Sequence, residues 1–136
     1  MRAETGDKGQ GTRDVSVKPI RSYQDLEIWQ EGIQLVSQVY NMTKEFPREE
    51  NYGLTSQMRR AAVSVPTNIT EGYARNHRAE LRQFLYIALG SLAELETLGI
   101  VASELGYIER DQVTTTFAQP FTRLRHRTLA LLRKLR

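Results

Sequence analysis

The sequence predicts an all-α protein, an antiparallel four-helix bundle, and three observations predict it. Apolar residues recur at helical spacing in four long stretches. The first three stretches are closed by Pro or Gly, without the paired turn residues that join strands. The connections between stretches are short, which makes consecutive helices antiparallel neighbours. At 136 residues, 40% hydrophobic and 26% charged, the chain has the size and make-up of one globular domain.

Residues 1–21 are rich in Gly, charge and small polar side chains and carry no apolar period. Such a segment buries too little surface to offset its ordering entropy, so it is predicted to be a flexible tail ahead of a bundle at 22–136. The first helix is predicted over Asp25 to Phe46, opened by a capping box of Ser22 and Asp25. On a helical wheel Leu26, Trp29, Ile33, Val36 and Tyr40 form one apolar stripe, and Ile28, Leu35, Val39, Met42 and Phe46 a second beside it. The combined sector is about twice the ~100° stripe of a simple surface helix. One stripe therefore faces the protomer core and the other needs a further partner. The expected oligomer interface is Ile28, Leu35, Val39 and Met42, with Tyr86 from the third helix. If Ile28, Leu35 and Val39 prove shielded by their own chain, this argument for assembly fails.

Phe46-Pro47 stops the first helix. The second runs from Asn51–Leu54 to about Tyr73, with Leu54, Met58, Ala61, Val65 and Ile69 on its apolar face. Pro66 is expected to bend or split it, and Gly72 to mark its end. Asn76 can cap the third helix, His77 to Leu105, whose centre from Phe84 to Ala93 is apolar almost all round. Gly90, Ser91 and Ala93 there would admit close backbone approach. Gly106 closes it. The fourth helix spans Arg110 to Leu135, with Val113, Phe117, Pro120, Leu124, Leu131 and Leu135 near one face. Val113 to Thr116 is a poor helix opening, and Pro120 is a candidate for a fresh first turn.

Several chemistries find no support. The chain has no cysteine, hence no disulfide, thiolate metal site or cysteine nucleophile, which suits a reducing, cytoplasmic setting. No signal pattern opens it, and the run from Phe84 to Ala93 falls short of the roughly 20 apolar residues of a membrane span. His77 and His126 lie on different helices with no acidic residue at metal-ligand spacing. The Gly-rich run at 6–11 precedes no strand, and Ser64 lacks a nucleophile-elbow context. No catalytic residue, metal or cofactor is expected.

What remains is arginine, which supplies 15 of the 19 basic residues. Arg59 and Arg60 are adjacent on the second helix; Arg75, Arg78 and Arg82 open the third. From Gln112 onward there is no acidic residue, only Arg123, Arg125, Arg127, Arg133, Lys134 and Arg136. Guanidinium groups bind phosphate bidentately and stack on bases, so a nucleic-acid backbone is the natural partner. The plainer reading is salt bridging to Glu71, Glu80, Glu94 and Glu104. That reading is preferred for Arg59 and Arg60, and polyanion contact for Arg123, Arg125 and Arg127, which have no acid near them in sequence. Tyr23, Tyr52, Tyr73 and Tyr107, near helix ends, read as packing residues.

Three blocks carry a resemblance. They are Asp25-Leu-Glu-Ile-Trp-Gln; Phe46-Pro with Tyr52-Gly-Leu-Thr-Ser-Gln-Met-Arg-Arg-Ala-Ala-Val-Ser-Val-Pro-Thr-Asn-Ile-Thr-Glu-Gly-Tyr-Ala-Arg; and Phe84-Leu-Tyr-Ile-Ala-Leu-Gly-Ser-Leu-Ala-Glu-Leu-Glu. In that order they resemble the four-helix-bundle proteins encoded in intervening sequences of bacterial 23S ribosomal RNA genes. The resemblance implies an antiparallel four-helix protomer and a ring-shaped homopentamer with a basic surface. It also implies kinship with the accessory variability protein of diversity-generating retroelements, which associates with a reverse transcriptase and nucleic acid. The tail and the Arg-rich fourth helix depart from the usual pattern.

The leading expectation is therefore a non-enzymatic homo-oligomer, a pentamer by resemblance, that binds RNA or DNA through phosphate contacts with little base specificity. An adaptor docking a reverse transcriptase or another acidic partner is the alternative, and a purely structural ring the third.

Overall fold

The computed structural model describes residues 22–135; the expected tail at 1–21, and Arg136, lie outside the described residues. Four long helical rods account for the described chain, and no strand occurs among those residues.

Ser22 caps a single 3-10 turn, Tyr23–Asp25, by accepting the Gln24 N–H at 3.1 Å. The first helix proper, α1, is Glu27–Thr43, so the serine caps the turn and not the helix. Thr43 ends α1 by returning its hydroxyl to the Val39 carbonyl at 2.8 Å. A second 3-10 turn, Arg48–Glu50, leads into α2, Leu54–Ala74, whose first N–H is taken by the Glu50 carboxylate at 3.0 Å. Asn76 does not cap the next helix. It takes the left-handed conformation (φ 58°) that ends α2, and His77 is the residue before α3, Arg78–Glu104. Gly106, at φ 83°, closes α3, with the Tyr107 N–H reaching back to the Ala102 carbonyl at 2.9 Å, a Schellman-type ending that only glycine adopts without strain.

The fourth rod is continuous but not uniform. A Glu109/Gln112 capping box opens α4, Arg110–Gln112; a π-helical segment follows at Val113–Ala118; α5 is Gln119–Lys134 with Pro120 in its first turn. Proline cannot donate to the residue four before it. The wider π turn absorbs this, with the Gln119 N–H bonded to the Thr114 carbonyl. It also advances the buried face. That face runs Val113, Phe117, Phe121, Leu124, Thr128 and Leu132, so the expected Pro120, Leu131 and Leu135 are displaced to its margin.

The rods contact one another in cyclic order, α1 with α2, α2 with α3, α3 with α5, and α5 with α1, which is a helical bundle around one core. Val39, Met58, Val65, Ile69, Leu85, Leu95 and Phe117 are its largest fully enclosed apolar residues. Pro66 neither splits α2 nor ends it; its ring lies where a Cβ on Gly32 would come within 3.3 Å. Gly72 likewise sits inside α2, where a Cβ would stand 2.7 Å from the Phe84 Cβ. Gly90, by contrast, faces open space.

The two stripes of α1 are exchanged relative to expectation. Ile28, Leu35 and Val39 are buried in the protomer's own core, so they form no oligomer interface, and Met42 packs half-buried beside them. Gly32 decides the choice: Ile28, Gly32, Leu35, Val39 and Thr43 make one face, and the glycine lets α2 approach closely along it. The outer stripe keeps Ile33 44% and Tyr40 40% exposed. On α3, Tyr86 is 54% exposed, and Ile87, Ile100, Val101 and Leu105 are exposed as well. By length and composition α3 is apolar enough to cross a membrane, yet it lays Leu85, Ala88, Leu92, Leu95 and Ala102 against the bundle.

Candidate nucleic-acid interface

Ser56, Arg60, Val63 and Thr67 follow one another at intervals of four, three and four along the outward side of α2, with Arg59 next to Arg60 and Tyr52 in the turn just before the helix. With Tyr40 of α1 they wall an open groove of about 770 Å³. Asn51, Thr55 and Ser64 complete the lining, which contains two guanidinium groups, two phenol rings and no carboxylate.

Arg59 is held in place. Its Nε donates to the Thr43 hydroxyl at 2.8 Å, and its guanidinium lies 4.5 Å over the Tyr40 ring. The expected salt bridge for this residue is thus replaced by a hydroxyl and an aromatic face. Arg60, next in sequence, is exposed and has no acidic partner among the described residues. Tyr52 is 99% exposed, which overturns its reading as a packing residue. The other tyrosines do pack: Tyr23 on Trp29 at 5.6 Å and Tyr107 on Phe46 at 5.2 Å. Ser64 shares a hydrogen bond with Ser91 of α3 at 2.7 Å and accepts from Asn68 at 2.8 Å, which fixes the polar floor. Thr55 is 4% exposed and its hydroxyl has no partner.

The remaining basic residues divide into paired and unpaired. Arg75 bridges Glu71 at 3.2 Å and lies 5.3 Å over Phe84; Arg110 bridges Glu104 at 3.6 Å. Arg123 and Arg127 were expected to lack acids, but α1 supplies them: Arg123 lies 3.5 Å from Glu31, and Arg127 bonds Glu31 and lies 3.7 Å from Glu27. Partners 96 residues apart in sequence cannot be read from local composition. Arg78, Arg125, Arg133 and Lys134 are exposed, Arg82 half-buried, and these five have no acidic partner among the described residues. Of the predicted set, only Arg59 and Arg60 converge on one groove. Tyr40, Thr55 and Ser56 were missed as groove residues, although the acid-free spacing along α2 from Tyr52 to Thr67 carried the signal.

Glu50 flanks this site at the start of α2. The Leu54 N–H and the Tyr107 hydroxyl, 2.7 Å away, stabilise its charged form and lower its pKa below the ordinary 4.5; accepting that same bond, Glu50 raises the Tyr107 pKa above 10.0. A lowered carboxylate pKa contributes stability that is complete above the unfolded value and is lost as pH falls through the folded one. A raised phenol pKa contributes stability that is complete below 10.0 and is lost as pH rises through the folded value. Glu50→Gln is therefore expected to flatten the acid limb of a Tm-against-pH curve, its deficit relative to wild type shrinking as pH drops below 4.5.

Among the described residues no three of His, Asp and Glu gather where they would hold a metal ion. The fold is similar to a solved protein described as of unknown function, from the S23 ribosomal protein family of Bacteroides thetaiotaomicron. The two share 20% identity at a TM-score of 0.70, over 77% of this chain and 97% of that one. No curated protein matches. The profile described as 23S rRNA-intervening sequence protein matches residues 24–121, from the turn before α1 to the first turn of α5, and the chain belongs to that family.

Proposed function

We propose that this protein is a non-enzymatic, self-assembling binder of RNA or DNA that contacts the phosphate backbone with little base specificity. The acid-free groove with Arg59 and Arg60 side by side carries this reading. Guanidinium groups that are not neutralised by neighbours remain available to phosphate, and displacement of counterions supplies the affinity. Arg125, Arg133 and Lys134, exposed along the end of the fourth rod, extend the basic surface. Fluorescence anisotropy of a labelled RNA should show log Kobs falling linearly with log salt. Binding that is indifferent to salt contradicts the mechanism.

Assembly rests on α3, not on α1 as expected from the sequence. Tyr86, Ile87, Ile100, Val101 and Leu105 leave apolar surface uncovered near both ends of that helix, with Glu94 and Thr97 exposed between them, and copies of the chain would cover it. A ring of five is what the family resemblance implies. Light scattering at micromolar concentration is expected to give a mass above 15.6 kDa, and a monomer overturns this part. The same uncovered surface favours a second reading, an accessory adaptor that docks a reverse transcriptase or another protein. A complex with a purified polymerase that survives nuclease treatment supports the adaptor, whereas one lost with the nucleic acid does not.

A further inference from the structure

We infer that the Tyr40–Tyr52 groove holds one unpaired nucleotide of a single strand, its base against Tyr52 and its phosphate on Arg59 and Arg60. This rests on the nucleic-acid reading above and narrows it from a backbone surface to a site for an unstacked base.

Two features of the groove go beyond what phosphate contact requires. Tyr52 is the first. An almost fully exposed phenol ring beside a pair of arginines offers a free aromatic face, and successive bases stack on such faces only when released from a duplex. Arg59 is the second. Tethered to Thr43 and stacked on Tyr40, it meets an anion with little side-chain freedom left to lose. The start of α2 is not itself the anion site, because Glu50 already occupies its first N–H, so side chains hold the phosphate.

The dimensions agree. About 770 Å³ falls within the roughly 300–1,000 Å³ of small-molecule sites. Val63 and Thr67 also belong to an adjoining groove of about 870 Å³, walled by Tyr23, Trp29, Ile33 and Val36. A strand leaving the first groove therefore meets further aromatic and apolar surface and no carboxylate until Glu71 at the far end.

The test compares a fluorescein-labelled oligouridine RNA with an RNA duplex of equal length, by anisotropy, on wild type, Tyr52→Ala and Thr55→Val. Wild type is expected to prefer the single strand. Tyr52→Ala should weaken single-strand binding by about 5- to 150-fold, the range of one lost base stack, and leave duplex binding unchanged. Its exposure makes it neutral for folding. Thr55→Val is the control: its enclosed, unpartnered hydroxyl makes no ligand contact, so the substitution should raise Tm and leave single-strand binding unchanged. Equal affinity for both RNAs, untouched by Tyr52→Ala, overturns the nucleotide site and leaves the backbone reading standing. Binding of neither RNA overturns both.

Discussion

Phe117→Ala is expected to destabilise the protein by about 3–5 kcal/mol, enough to lower Tm by on the order of 10–20 °C. Phe117 is fully buried in the π segment, 5.4 Å from the Phe121 ring, against the bare backbone of Gly99. A Cβ on Gly99 would stand 2.6 Å from the Phe117 ring, so glycine at 99 and phenylalanine at 117 fit only together. Gly99→Ala alone is expected to cost about 1–3 kcal/mol by overpacking. Because the two positions touch, the double variant should cost less than the sum of the single ones. Denaturant titration of the four proteins measures this. Strict additivity would show that α3 and the fourth rod do not meet there.

Arg59→Ala/Arg60→Ala is expected to reduce the slope of log Kobs against log salt for single-stranded RNA by about 1.4, the contribution of two phosphate contacts at ~0.7 each. The comparison that gives this meaning is Arg123→Ala/Arg127→Ala. Those guanidinium groups are already matched by Glu27 and Glu31, so removing them should leave the slope nearly unchanged. Glu31 is only 20% exposed, so losing both arginines leaves its carboxylate largely buried and unpaired, and a lowered Tm should accompany the unchanged slope. Two double variants with the same change in net charge thus have different outcomes. A common slope for both would mean that total charge, and not the groove, sets the affinity.

The four rods were legible because period, Pro and Gly are local signals, and Gly106 closes α3 as its position suggests. Which side of α1 faces inward was not. Two stripes of nearly equal hydrophobicity flank each other, and a glycine that adds nothing to an apolar wheel settles the matter through its contact with Pro66. The fourth rod misled for a related reason. A uniform wheel cannot foresee a π turn, so the face shifts from Pro120 to Phe121 beyond it. On the functional side, Arg59 and Arg60 were visible as a pair, whereas the neutralisation of Arg123 and Arg127 depends on a helix far away in sequence. Tyr52 reads as packing because a tyrosine at a helix end usually packs; here no described residue covers it.

Photo-crosslinking of the bound single-stranded RNA, with the adducts mapped by mass spectrometry, tests the groove most directly. Adducts at Tyr52 and Tyr40, the two aromatic walls, are predicted. Adducts confined to the Arg125–Lys134 end of the fourth rod, with none along α2, would contradict the account.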